Sequence, residues 1–176
     1  FLVVQDIFLT ESAELAGVVL PAASYAEKDG TFTNTERRVQ RVRKAIEPLG
    51  DSRTDWWITC EIAKRMGEKG FDFANATEIM EEIATLTPIY GGITHDRIEE
   101  VGLQWPCPDA SHPGTRFLHG ETFPRPSGRG KFFPLDYRAP DEEPDDEYPL
   151  VLTTERSLYH YHTSTMTRRV AALGVL

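Results

Sequence analysis

FLVVQDIFLTESAELAGVVLP, residues 1–21, decides the fold class. Leu2 to Val4 is a short apolar run with no basic residue ahead of it, so it reads as a buried strand rather than a leader. Thr10 stands where an N-cap hydroxyl is needed, and Glu11 follows in the first helical turn, where the dipole favours an acid. Gly17 ends that helix early. Val18-Val19-Leu20 is a second apolar run, closed by Pro21. Strand, helix and strand within about 20 residues is the rhythm of a parallel α/β sheet.

Working outward, Asp29-Gly30 is a turn signal, and Thr31 to Ile46 is β-leaning but strongly basic, with Arg37, Arg38, Arg41, Arg43 and Lys44. Thr54 is expected to cap a helix with Ile58, Ile62 and Met66 on one face. Thr77 is expected to cap another with Ile79, Ile83 and Leu86, and Thr94 a short third with Ile98 and Val101 that ends at Gly102. Residues 1–102 therefore form the α/β portion. From Leu103 the composition changes, and eight of the 12 prolines fall within residues 103–147. This stretch reads as a long draped connection, of the kind that wraps a surface or completes a site. One hairpin, through Arg116-Phe117-Leu118 and Lys131-Phe132-Phe133, is expected inside it. The acidic run from Asp141 to Glu147 marks a boundary, and residues 148–176 open a new domain. That domain begins with a strand over Tyr148 to Thr154, and Thr163 to Val170 is a loop leading into a helix.

The chain has 176 residues and a net charge of −9, and six of its acids lie in the run at 141–147. The acidity is local and argues against a general nucleic-acid binder. Cys60 and Cys107 are isolated, so neither a disulfide scaffold nor a metal cluster within these residues is expected, and cytoplasmic residence fits. No apolar run approaches the roughly 18 residues of a membrane span. No Met precedes Phe1 and no polar tail follows Leu176, so the chain is expected to be a piece of something longer, with apolar surface left uncovered.

Four constellations carry chemistry. Gln5 and Asp6 sit at the carboxyl end of the first strand, where open α/β sheets bind ligands; the structural alternative for Asp6 is a turn that satisfies nearby N–H groups. Lys28 lies beside a glycine turn and can reach a phosphate, while the arginines after it read as a solvated strand face in an exposed hairpin. Asp55 falls in the first turn of a helix, where the dipole alone explains an acid. The adjacent Trp56 and Trp57 cannot both face one core, which leaves one near a planar ligand. The densest cluster is Thr154, Glu155, Arg156, Ser157, Leu158, Tyr159, His160, Tyr161, His162 and Thr163, a loop rich in donors after a strand. In an extended chain His160 and His162 face one side, but two histidines without a third ligand make a poor zinc site.

QDIFLTESAELAGVVLPAASYAEKDGTFTNTERRVQ (residues 5–40) and TDWW (residues 54–57) resemble successive blocks of the molybdopterin bis-guanine-dinucleotide oxidoreductases. LQWPCPDASHPGT (residues 103–115) looks like the formate dehydrogenase branch, and YPLVLTTERSLYHYHTSTMTRRV (residues 148–170) like the start of the C-terminal cofactor-binding β-barrel domain. Gly17 and Ser12 depart from the family's usual Asp and Thr. The resemblance implies a Rossmann-like segment, a long irregular connection and the beginning of a barrel. It implies that Gln5, Asp6, Lys28, Asp55 and the run from Thr154 to Thr163 contact a molybdopterin guanine dinucleotide carrying molybdenum or tungsten. Asp6 and Asp55 would suit the guanine or ribose edge, and Lys28 a phosphate or pterin oxygen. It further implies oxidation of formate to carbon dioxide by the whole enzyme, with electrons passing through iron–sulfur clusters to partner subunits that are NAD-linked in some arrangements. The cluster cysteines, the metal-ligating Cys or selenocysteine and the active-site His and Arg match nothing here. These residues would bind cofactor without catalysing by themselves. Two other readings stay open: another reductase of the family, such as a nitrate reductase, and a non-catalytic interaction or assembly module with the same fold.

Overall fold

The computed structural model describes residues 1–173, and the last part of the domain expected over 148–176 lies outside them. The chain divides into two compact units, Phe1–Gly128 and Arg129–Leu176, and the division falls within the proline-rich stretch.

The first unit is α/β. Strand β1 (Val3–Asp6) and strand β2 (Val18–Pro21) pair in parallel, Val3 opposite Val18 and Asp6 opposite Pro21. Helix α1 (Glu11–Glu14) crosses between them, and Thr10 caps it by accepting the Ala13 N–H at 3.2 Å. A parallel bridge from Ala22 to Arg53 extends this sheet: Arg53 donates to the Pro21 carbonyl at 3.0 Å and accepts from Ala23 at 2.8 Å. The opening strand is not buried as expected. Val3 is 48 % exposed and Val19 38 %, since among the described residues nothing covers both faces of the pair.

Strands β3 (Gly30–Thr33) and β4 (Arg38–Val42) form the hairpin that the β-leaning segment predicts, and β5 (Leu103–Gln104) adds to β4. The start of the supposed connection is therefore part of a three-stranded antiparallel sheet. Gly102 makes the approach to it: its φ is +76°, and a Cβ there would stand 2.5 Å from the Val39 carbonyl oxygen. The core lies beside this sheet, where Val39, Met80, Ile93, Ile98 and Cys107 pack with Tyr90, Leu103 and Trp105. Cys60 and Cys107 are buried and free.

Helices α2 (Asp55–Arg65) and α3 (Ala76–Leu86) form where expected, but with different caps and faces. The Thr54 side chain makes no capping bond. Asn75, not Thr77, caps α3, accepting from Thr77 and Glu78 at 2.9 and 3.2 Å. In α2 the buried residues are Ile58 and Cys60, while Ile62 and Met66 turn outward. In α3 it is Met80 that enters the core. The expected face of Ile79, Ile83 and Leu86 instead lines an open groove of ≈ 390 Å³ with Phe71 and Phe73. The helix expected after Thr94 is only the 3-10 turn Asp96–Ile98, and Val101 is exposed.

The arginines of the hairpin are not a solvated face. Arg37 donates to the carbonyls of Trp105, Thr115 (3.1 Å) and Arg116 (3.0 Å), and its guanidinium lies 5.5 Å from the Trp105 ring centre. Arg41 reaches His95 at 2.9 Å and Glu99 at 3.3 Å. These are planar donors spent on carbonyls and neighbours that the later chain delivers. Arg43 and Lys44 remain exposed.

Neither half of the expected hairpin at Arg116–Leu118 and Lys131–Phe133 is a strand, and Tyr148–Thr154 forms no ladder. A strand without a neighbour has no partner for its N–H and C=O groups. Among its described residues the second unit shows turns and one 3-10 turn, Thr167–Arg169, where a helix start was expected. No helix among the described residues is long and apolar enough to cross a membrane.

Candidate cofactor-binding site

The parallel pair β1–β2 and the Arg53 bridge end on one edge, and α2 begins two residues beyond that bridge. Carboxyl ends of parallel strands and a helix N-terminus are where α/β sheets receive anionic and nucleotide ligands. Three sequence-predicted residues meet there from distant parts of the chain. Gln5, on β1, donates its Nε2 to Asp55 Oδ1 at 2.8 Å. Lys28, after the 3-10 turn Tyr25–Glu27, forms an ion pair with Asp55 Oδ2. Read from the sequence, Lys28 and Asp55 make separate ligand contacts; in the structure they pair with one another.

Burial alone would raise the Asp55 carboxyl, but the hydrogen bonds from Lys28 and Gln5 outweigh it and hold it below the usual carboxylate range. The group is therefore an anion with both oxygens already oriented. The pair is part-exposed, 23 % at Lys28 and 47 % at Asp55, and such an ion pair contributes less than about 1 kcal/mol to stability. Each member also keeps capacity, since carboxylate oxygens accept more than one bond and an ammonium has three donors.

Asp6 takes the turn-forming role: its Oδ1 accepts the Phe8 N–H at 2.9 Å. Trp56 is half-buried and Trp57 is exposed at 40 %, with the Arg53 guanidinium 5.9 Å from the Trp57 ring centre.

The run Thr154–Thr163 belongs to the second unit and is described there by itself. Thr154, Glu155, Arg156, Ser157, Leu158 and Tyr159 are exposed, as are Tyr161, His162 and Thr163. His160 is half-buried, with Nδ1 2.8 Å from Thr167 Oγ1. His160 and His162 do not share one side of an extended chain. His162 has φ +48°, and Ser164 donates to the Tyr161 carbonyl at 2.9 Å, so the backbone turns at His162 instead of running extended through it. The Tyr161 and His162 rings meet edge-on, 4.5 Å apart. A hollow of ≈ 370 Å³ lined by Glu142, Glu143, Asp145, Tyr148 and Leu150 also lies in this unit and includes none of these residues. Among the described residues no three His, Cys, Asp or Glu side chains stand together as a metal site.

Glu27 has no role of its own in the sequence reading. Glu27 is buried, and its carboxylate accepts from Ser24 at 2.7 Å and Leu49 at 2.8 Å. The signal was present as Ser24-x-x-Glu27, the spacing of a capping box.

Residues 1–65 match the family model described as molybdopterin oxidoreductase. The chain belongs to the molybdopterin oxidoreductases. Within that family it is 55 % identical over 170 residues to the F420-dependent formate dehydrogenase subunit alpha of Methanocaldococcus jannaschii, covering 96 % of this chain and 25 % of that protein. It is 55 % identical to the F420-dependent formate dehydrogenase 2 subunit alpha of Methanococcus maripaludis, with the same coverage of both chains. It is 44 % identical over 177 residues to formate dehydrogenase H of Escherichia coli, covering 99 % of this chain and 25 % of that protein. This molybdopterin oxidoreductase chain thus spans a quarter of the length of these relatives.

Proposed function

We propose that these residues are part of the catalytic subunit of a formate dehydrogenase and that the edge carrying Gln5, Lys28 and Asp55 binds the guanine dinucleotide of its molybdopterin cofactor. The observation that carries this is the convergence of three side chains, from positions up to 50 residues apart, on the carboxyl edge of a parallel sheet. The donor set fits the group. An oriented carboxylate accepts from the N–H edge of guanine or from ribose hydroxyls, while a lysine and a helix N-terminus suit a phosphate or a pterin oxygen. Asp6, one residue past Gln5, adds a second carboxyl at the same strand end. Molybdenum or tungsten held by the pterin supplies the redox chemistry of formate oxidation when bound, and the protein binds and orients it.

The run Thr154–Thr163, in a domain beginning near residue 148, offers backbone and hydroxyl donors to a molybdopterin guanine dinucleotide in this reading, as the start of a barrel domain. The names of the relatives support formate as substrate. Iron–sulfur clusters, electron-transfer subunits and a cytoplasmic setting complete the picture for the whole enzyme, and these residues by themselves are expected to be inactive.

Titration of the purified chain with GDP, read by tryptophan fluorescence, tests the site, since Trp57 lies two residues from Asp55. Saturable quenching is expected. Asp55→Asn should weaken it about tenfold, the loss of one charge-assisted bond. Asp6→Asn keeps the acceptor for Phe8 and so the turn; a weakening there assigns Asp6 to the ligand. Quenching that never saturates, or that ignores Asp55→Asn, overturns the assignment.

A further inference from the structure

We propose that Glu27 is the positioning residue of the Lys28–Asp55 couple: its carboxylate ties the turn that carries Lys28 to the segment that leads into Asp55. Oε2 accepts the Ser24 N–H at 2.7 Å, which closes the 3-10 turn immediately before Lys28. Oε1 accepts the Leu49 N–H at 2.8 Å, from a residue 22 positions away. A capping box needs only one carboxylate oxygen. The second is committed to a distant segment, which a purely local cap does not require.

From Leu49 the connection to Asp55 is continuous. The Leu49 carbonyl accepts both the Ser52 N–H at 3.1 Å and the Ser52 hydroxyl at 2.8 Å, and Ser52 is buried. Arg53 follows in the bridge to Pro21 and Ala23, and Asp55 opens α2. Glu27 thus closes a ring of backbone bonds around the two partners. Only an ionised carboxylate accepts at both oxygens without donating; an amide of the same shape would set an N–H against one of the two N–H groups. The hydrogen bonds from Ser24 and Leu49 hold its carboxyl below the ordinary range, consistent with an anion in that role.

The proposal rests on reading the couple as part of the cofactor site, but its test needs no cofactor. Carbon-13 NMR of aspartate-labelled chain follows the titration midpoint of Asp55 in Glu27→Gln and Glu27→Ala. Loss of the tie should raise that midpoint by about half a pH unit or more in Glu27→Ala, and by less in Glu27→Gln, because the bond from Lys28 holds it down only while the two are aligned. Asp109 is the internal control: Ser111 and His112 of its own turn lower its carboxyl, and neither touches Glu27. An Asp55 midpoint unchanged in the folded variants overturns the proposal, and so does an equal rise at Asp109, which would mean general loosening. Should Glu27→Ala fail to fold, the isosteric Glu27→Gln decides. A wild-type chain that ignores GDP while the Glu27 variants shift Asp55 would sink the cofactor reading and leave the positioning role standing.

Discussion

His95 shows how a single side chain converts burial into pH dependence. Arg41 Nη1 lies 2.9 Å from its Nδ1 and can only donate, so Nδ1 accepts and the ring proton sits on Nε2. Thr77 Oγ1 stands 2.7 Å from the same Nδ1, while Nε2 has no partner among the described residues. Protonation would turn Nδ1 into a donor facing a guanidinium. Burial, then Arg41, push the pKa below its ordinary 6.5, against the opposite pull of Asp29, Asp96 and Glu81. The unfolded chain therefore binds this proton first. The contribution of neutral His95 is full above pH 6.5 and is lost as pH falls through the lowered folded value. The thermal midpoint should fall between neutral pH and about pH 5, above the range where the carboxylates titrate. His95→Asn should flatten that slope, and an equal slope in the variant would exclude His95 as its source. The sequence placed His95 in no constellation, because its meaning comes from Arg41, which is 54 residues away.

At the scale of elements, capping chemistry was legible and its exact address was not. Thr10 caps α1 as its sequence indicates. For α3 the hydroxyl of Thr77 was the expected cap, but the helix starts two residues earlier than that cap implies and Asn75 supplies the acceptor, leaving Thr77 for His95. Asn75→Ala should therefore cost about 1 kcal/mol in chemical denaturation, and Thr54→Ala, whose side chain caps nothing, only a few tenths. Equal losses would mean that the caps are misassigned. The apolar stripes of α2 and α3 show a second limit. Periodicity found both helices, but a stripe says only that one face is apolar, not whether this chain covers it. Met80 reaches the core, while Ile83 and Leu86 border an open groove.

For the molecule as a whole, the two sheets of the first unit differ in support. Strand β4 has a ladder partner on each side and sends Val39 into the core, whereas β1 has β2 alone among the described residues. Amides of β4 should exchange with solvent far more slowly than those of β1, and mass spectrometry of deuterium uptake reads this directly. A β1 as protected as β4 would contradict the exposure of Val3 and Val19. The sequence by itself determined the parallel opening, the first cap, the β3–β4 hairpin, the positions of α2 and α3 and the family likeness. All of these are written in residues close along the chain, where periodicity, caps and turns act. Tertiary structure decided which side chains meet. Gln5, Lys28 and Asp55 join only because the sheet edge and the N-terminus of α2 bring them together, and the arginines of the hairpin become ties only because the later chain returns its carbonyls to them. Contacts between residues far apart along the chain depend on the path of the backbone between them, which no local pattern encodes.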